Sequence, residues 1–170
     1  MTTAPASMPE LQTVIDFLAS IGIPVHEKQL DTATFLPGLQ LGAGCIYLDY
    51  DKLAYPGDLL HEAGHLAVTT PEIRRTLGTA AAPPNWPDGG EELGAILWSY
   101  AAAVHLELPP QFVFHADGYK GDAQWLIDEF GRGNYIGLPF LEWIGLCRGP
   151  ATAAIHRHAA YPFMTHWLRT

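Results

Sequence analysis

Apolar residues recur at helical spacing near the start of the chain. Leu11, Val14, Ile15 and Leu18 stand at positions i, i+3, i+4 and i+7, and this spacing places them on one face of a helix. A glycine and a proline follow soon afterwards, and neither continues a helix well. The pattern therefore predicts a helix over residues 9–21.

Between residues 35 and 50, β-favouring side chains surround two glycines. Such a segment is typical of two short strands joined by a Gly-rich turn. Pro37 lacks the N–H group that a sheet hydrogen bond needs. The first of these strands is therefore expected at a sheet edge.

Most of the later chain has helical patterning. Asp58 follows a Pro-Gly pair and is a candidate N-cap for a helix that runs to about Val68. Further helices are predicted over residues 71–77, 88–106, 109–115, 122–131 and 139–147, while residues 151–170 give no clear pattern. Together with the two strands, these segments predict an α+β fold that is mostly helical and contains a small sheet.

The 170 residues match the length of one ordinary domain, and we expect a single domain over 1–170 with a flexible segment at 1–8. A hydrophobic share of 48% against a charged share of 16% argues against disorder and coiled coil. The net charge of −9 opposes binding to a phosphate backbone. No apolar run reaches the roughly 18 residues of a spanning helix. Neither nucleic acid nor a membrane is therefore expected as a partner.

The cysteines and the N-terminal segment bear on location. Cys45 and Cys147 lie far apart and form no CxxC pair, so we expect buried, reduced thiols. Residues 1–9 contain no basic residue and no apolar stretch, which argues against a signal peptide. These features favour a cytoplasmic protein.

Residues 61–65 read His-Glu-Ala-Gly-His and carry the clearest chemical signal. His61 and His65 are four apart on a predicted helix, so both imidazoles can reach one ion at about 2.0–2.1 Å. Glu62 lies about 100° round the helix, where it can contact a water on that ion without binding the ion. Gly64 costs a helix about 1 kcal/mol relative to Ala and points to a close approach by another element.

A catalytic zinc site needs a third protein ligand. The downstream candidates are Glu91, Glu92, His105 and His115. Asp88 and Glu91 have the spacing of a capping box, which would hold Glu91 at the start of its helix. Glu92 is then the free carboxylate, and the small Ala95 and Ser99 on its face would let two helices lie close together. We expect Glu92 as the ligand, with Glu91, a histidine or no third ligand as the alternatives.

A helix with these two histidines, followed by a carboxylate on a second helix, resembles the gluzincin branch of zinc metallopeptidases. The resemblance covers residues 35–107, and the chain is similar in size to minimal zincin-like domains of the bacterial ImmA/IrrE type. It implies a zincin-like fold, with the edge strand of a small twisted sheet above the active-site helix. It also implies Zn²⁺ as cofactor, His61, His65 and Glu92 as its ligands, and Glu62 as general base.

The chain departs from the gluzincin pattern at one position. That pattern has an acidic residue four positions after the ligand Glu, to orient a ligand histidine, and here Ile96 stands there. Asp58 is a candidate for the orienting role as well as for the N-cap. By analogy with other zincins, His115 and Tyr119 are candidates for hydrogen bonding to a tetrahedral oxyanion, although packing and loop roles are alternatives.

Aromatic and histidine side chains elsewhere suggest ordinary roles. Four tryptophans, Trp98, Trp125, Trp143 and Trp167, are expected in the core. Trp86 lies in a Pro-rich loop and is a candidate for lining a substrate cleft. The C-terminal cluster His156, His158 and His166 is expected to be a solvated tail.

The sequence supports two main hypotheses of function. The first is a zinc-dependent peptidase or related amide hydrolase with a peptide or protein substrate, which adds as a strand to the edge that Pro37 marks. The second is a zinc-binding regulatory or interaction domain without turnover. A metal-free globular domain is a third reading. Glu62 favours the enzyme, because a structural site has no use for a base beside the ion.

Overall fold

A computed structural model describes residues 8–31 and 33–170. Its elements, in chain order, are α1 (Met8–Ser20), β1 (Val25–Glu27), β2 (Leu39–Leu41), β3 (Ile46–Leu48), α2 (Asp58–Val68), α3 (Pro71–Arg74), α4 (Gly89–His105), α5 (Ala123–Gly131), α6 (Leu138–Trp143) and α7 (Pro150–His156). Two 3-10 turns span Pro110–Phe112 and Tyr119–Gly121. The structure is thus of mixed α+β class, mostly helical with a small sheet.

The N-terminal prediction is met over the described residues. Helix α1 covers most of the predicted range 9–21 and buries Leu11, Val14 and Leu18. Met8 begins this helix. The rest of the segment expected to be flexible, residues 1–7, lies outside the described residues.

The sheet has three strands in the order β1-β3-β2. Strand β3 is central, with β1 parallel and β2 antiparallel to it. Strand β2 follows Pro37 and lies at an edge, as predicted, and Gly78 packs against the Leu41 carbonyl at its end. The prediction missed β1, because a three-residue strand is too short to show a period of two.

Helices α2 and α4 pack against each other at the centre of the molecule. A Cβ atom added at Gly64 would lie 2.6 Å from the Ala95 carbonyl oxygen, so only glycine permits this approach. Both helices contribute fully buried side chains, including Leu59, Leu60 and Trp98. The glycine and the small residues that the sequence analysis singled out thus lie where the two helices meet.

Both ends of α2 are tied to distant parts of the chain. At its start, Gly57 occupies the N-cap position without a side-chain cap, and Asp58 is the first helical residue. The N-cap prediction for Asp58 is therefore wrong, because its carboxylate instead meets His115. At its end, the buried Arg74 guanidinium donates hydrogen bonds to the carbonyls of Leu66, Thr69 and Arg169.

Three predicted helices are shorter than expected. Helix α3 ends at Arg74 rather than residue 77, because the next turn tightens to i→i+3 hydrogen bonding from Thr76 to Ile73. Residues 109–115 form only the 3-10 turn Pro110–Phe112. Helix α6 ends at Trp143 and is followed by Gly145 in a left-handed conformation.

The tryptophans divide between core and surface. Trp98 is fully buried, and its indole donates to the Trp167 carbonyl. Trp125 is 50% exposed and Trp143 is 74% exposed, so the core prediction is wrong for these two. The two cysteines are free and buried as predicted. Among the described residues, no helix is long and apolar enough to cross a membrane.

Candidate metal centre

Three ligand-type side chains converge where α2 meets α4. The Nε2 atoms of His61 and His65 lie 3.0 Å apart on consecutive turns of α2. On α4, Glu92 Oε1 lies 3.5 Å from His61 Nε2, and its Oε2 lies 3.2 Å from His65 Nε2. Within the described ranges, this is the one group of three His, Cys, Asp or Glu side chains close enough to hold a metal ion.

A capping box separates the roles of the two adjacent glutamates. The Glu91 N–H donates to Asp88 Oδ1 at 2.8 Å, and the Asp88 N–H donates to Glu91 Oε2 at 3.1 Å. This predicted box holds Glu91 at the start of α4. Glu92 is left to face the histidines of α2.

The donor set fits a divalent cation of the zinc type. Ligands at about 2.0–2.1 Å in a tetrahedral arrangement stand about 3.3–3.4 Å from each other, and the three separations above bracket that distance. Burial lowers the pKa of His61 to about 4, so this imidazole is neutral, as a metal ligand must be. The hydrogen bond from His65 holds the pKa of Glu92 below its usual range, so the third side chain is a carboxylate.

His61 and His65 have no orienting partner among the described residues. His61 Nδ1 and His65 Nδ1 are both buried without a hydrogen bond. The prediction that Asp58 orients a ligand histidine is wrong, because Asp58 Oδ1 lies 2.8 Å from His115 Nε2. Ile96, at the position where the gluzincin pattern has an acid, lines the cleft instead. The rings are held by packing, with His65 edge-on to Trp86 and His61 edge-on to Tyr119.

Glu62 lies beside the triad without joining it. Its side chain lines the same cleft as His61 and His65, and its partial burial raises the pKa of the carboxyl to about 7. A carboxylate with this pKa can both accept and return a proton near neutral pH.

His115 and Tyr119 both lie next to the triad. His115 stacks on Tyr55 with ring centroids 3.8 Å apart, while its Nε2 meets Asp58 and its Nδ1 has no partner in the described chain. The Tyr119 ring lies 5.5 Å from that of His61. Its hydroxyl is buried without a well-formed hydrogen bond to a described residue, and burial raises its pKa, so the hydroxyl remains a donor.

The cleft at the triad has two lobes. The first, here the apolar lobe, has a volume of about 640 Å³ and is walled mainly by Leu41, Trp86, Pro87, Leu93, Ile96, Trp125 and Leu126. The second, here the polar lobe, has a volume of about 420 Å³ and is walled mainly by Leu36, Pro37, Tyr55, Asp58, His115, Asp117 and Gly118. Five residues border both lobes, namely Phe35, His61, Glu92, Tyr119 and Lys120.

Sequence reasoning placed Trp86 at a cleft, which the structure bears out, and missed several other lining residues. Phe35, Lys120 and Trp125 belong to no motif, and no spacing rule links them to residues 61–65. Gly121 was a weak signal for a turn at this point, because glycine itself readily adopts the positive φ found there, but it does not indicate the conformations of residues 119 and 120. The histidines at 156, 158 and 166 are exposed, as predicted, and none of them belongs to the group formed by His61, His65 and Glu92.

Searches of the chain against protein-family models, curated proteins and solved structures find no match. The case for a function therefore rests on the geometry of the cleft.

Proposed function

We propose that this protein is a zinc-dependent hydrolase of the zincin-like class that cleaves a peptide or amide bond. The observation that carries the proposal is the convergence of His61, His65 and Glu92 at ligand distances on the floor of an open cleft. Three protein ligands beside an open cleft would be the pattern of catalytic zinc sites, whereas structural sites have four protein ligands.

A zinc ion held by His61, His65 and Glu92 would supply Lewis-acid chemistry, which polarises a scissile carbonyl and makes a water more acidic. Glu62 takes a proton from that water and passes it to the leaving nitrogen. Hydrolysis breaks the C–N bond, and the water divides between the new carboxyl group and the amine. The half-buried carboxyl of Glu62 suits this role, because burial raises its pKa towards the working pH.

Tyr119 is the stronger of the two candidates for contact with the reacting carbonyl oxygen. Its ring lies beside that of His61, it borders both lobes, and its buried hydroxyl has no well-formed hydrogen bond, although Ser99 lies nearby. His115 Nε2 is engaged by Asp58. We therefore assign His115 a positioning role, in which its contact with Asp58 fixes the turn that carries Tyr119.

One observation favours the alternative of a zinc-binding domain without turnover. Both Nδ1 atoms of the ligand histidines lack a hydrogen-bond acceptor among the described residues, and such outer-shell partners normally raise metal affinity by about 10–100-fold. A site of this kind could hold a metal weakly and serve only to join α2 and α4.

Metal analysis and the Glu62→Gln variant separate these functions. We expect about one zinc per chain after growth with added zinc, in the wild type and in Glu62→Gln alike. Peptide-library digestion by the variant should fall by about 10²–10⁴-fold, because the proton acceptor is gone. Glu27→Gln, an exposed change on β1, is the matched control and should leave the digestion rate unchanged.

Each outcome has a different meaning for the proposed function. Absence of zinc from the wild-type protein would refute the proposal. Bound zinc without digestion of any library peptide would favour the binding domain. Equal digestion by the wild type and a zinc-loaded Glu62→Gln variant would overturn the assigned role of Glu62.

A further inference from the structure

Lys120 holds an unusual position in the cleft. It borders both lobes, and it is the single Lys or Arg among the described residues that line them. Its ammonium group makes no ion pair with another described residue. Glu92 lies near enough for Lys120 to help lower its pKa, but that carboxylate is already shared between two histidines.

The carboxylates of the polar lobe are already engaged. Asp58 meets His115, and Asp117 accepts a hydrogen bond from the Tyr55 hydroxyl. Asp122, which borders the apolar lobe, forms no ion pair with Lys120. Lys120 is therefore available to a negative group that enters with a ligand.

The backbone at Lys120 adopts a strained conformation, which determines where the side chain leaves the turn. Tyr119 and Lys120 both adopt left-handed conformations, with φ of 57° and 56°, and Gly121 follows with φ of 89°. A left-handed conformation costs a non-glycine residue roughly 1–2 kcal/mol. Residues held in this way are concentrated at binding and catalytic sites, where the strain is offset by what the conformation positions.

The apolar lobe beside Lys120 is large and open to solvent. Its volume of about 640 Å³ leaves ample room for an aromatic or branched aliphatic side chain, and its walls are mainly apolar. Three apolar residues at its mouth are conspicuously exposed, with Leu93 at 39%, Trp125 at 50% and Phe35 at 99%. Clustered exposure of this kind marks a surface that an apolar partner covers.

We infer that the substrates are chains with a large apolar C-terminal residue and a free C-terminal carboxylate. The apolar lobe takes the side chain of that residue, and Lys120 binds its carboxylate, so that the bond before the last residue lies at the metal. The enzyme would then remove C-terminal residues. This inference rests on the proposed function, since it identifies the substrate class of the same site.

The test compares N-acetyl-phenylalanyl-leucine with its C-terminal amide. Binding of each is measured by calorimetry to zinc-loaded Glu62→Gln protein, so that turnover does not interfere. We expect the free acid to bind about two- to fivefold more tightly, the range for a solvent-exposed charge pair. Lys120→Gln should remove the preference and Lys120→Arg should keep it. Lys28→Gln, the same loss of charge outside the cleft, should have no effect.

A carboxylate can also bind the metal directly, and the design separates that case. If the preference for the acid survives Lys120→Gln and disappears when zinc is chelated, the metal is the anchor and the inference is wrong. Equal binding of acid and amide, or no binding of either, would also overturn it. In each of these cases the metal analysis and library digestion decide the proposed hydrolase independently.

Discussion

The two sides of the cleft differ in packing and in backbone conformation. The side that carries His61, His65 and Glu92 stands on α2 and α4, whose axes approach until Gly64 touches the Ala95 carbonyl. The facing side is the turn 115–121, which has two left-handed non-glycine residues and exposes Lys120 to solvent. One side is held by dense packing, while the other accepts backbone strain. Under the proposed function, the packed core would hold the metal ligands in place, while the turn would position substrate contacts at the expense of local stability.

The largest effect is expected on zinc affinity, from a substitution of the proposed ligand Glu92 on the packed side of the cleft. We expect Glu92→Gln to weaken zinc binding by more than the roughly 10–100-fold that outer-shell substitutions cost, because a metal ligand loses its charge. Glu91→Gln is a close control, since glutamine preserves the capping box, and it should bind zinc normally. Competition with a chelating dye measures both affinities. Equal affinities in the two variants would contradict the assignment of Glu92.

A smaller effect should follow from a single methyl group at the helix contact. Gly64→Ala places a Cβ 2.6 Å from a backbone oxygen that cannot move aside. We expect the free energy of unfolding to fall by about 1–2 kcal/mol, despite the better helix propensity of alanine.

Gly131→Ala should not lower the free energy of unfolding, because no atom lies within 4 Å of the added Cβ at the end of α5. This variant should be unchanged or gain up to about 1 kcal/mol. Urea unfolding of the two variants gives the comparison. A stabilised Gly64→Ala protein would show that the two helices do not approach each other this closely.

The smallest effect is expected on the strained side of the cleft, where a substitution should increase stability rather than decrease it. Lys120→Gly should raise the free energy of unfolding by about 0.5–1 kcal/mol, because glycine adopts a left-handed conformation without a Cβ clash. The same variant should lose any preference for a carboxylate. Lys28→Gly, at a residue without positive φ, should lower stability instead. If thermal unfolding shows Lys120→Gly to be the less stable of the two, the turn is not strained.

The sequence predicted the packed side far better than the strained one. The spacing of His61 and His65, the capping box of Asp88 and Glu91, and the small residues of α4 all express helical periodicity, which is visible in one segment at a time. Glu92 could be placed near the histidines because each helix fixes the face that its residues occupy. These features depend on local geometry, and local geometry follows from local sequence.

The remaining features depend on contacts between segments far apart in the chain. The contact of Asp58 with His115 joins residues separated by a long stretch, and it displaced both roles predicted for Asp58. Trp125 resembles a core residue by type, but its place on α5 leaves half of it in solvent. No pattern reveals left-handed backbone at Tyr119 and Lys120, because these residue types rarely adopt it.

The hydrogen bonds at the two ends of α2 should allow this helix to be ordered before any metal binds. A helix end normally leaves backbone carbonyls without partners. Here Arg74 and Arg169 supply donors to the carbonyls of the last turn, while Asp58 secures the first turn through His115. The entropy of ordering the helix is therefore offset by contacts that need no ion. We expect amide hydrogen exchange in α2 to be slow in chelator-treated protein, and zinc uptake to leave those exchange rates nearly unchanged.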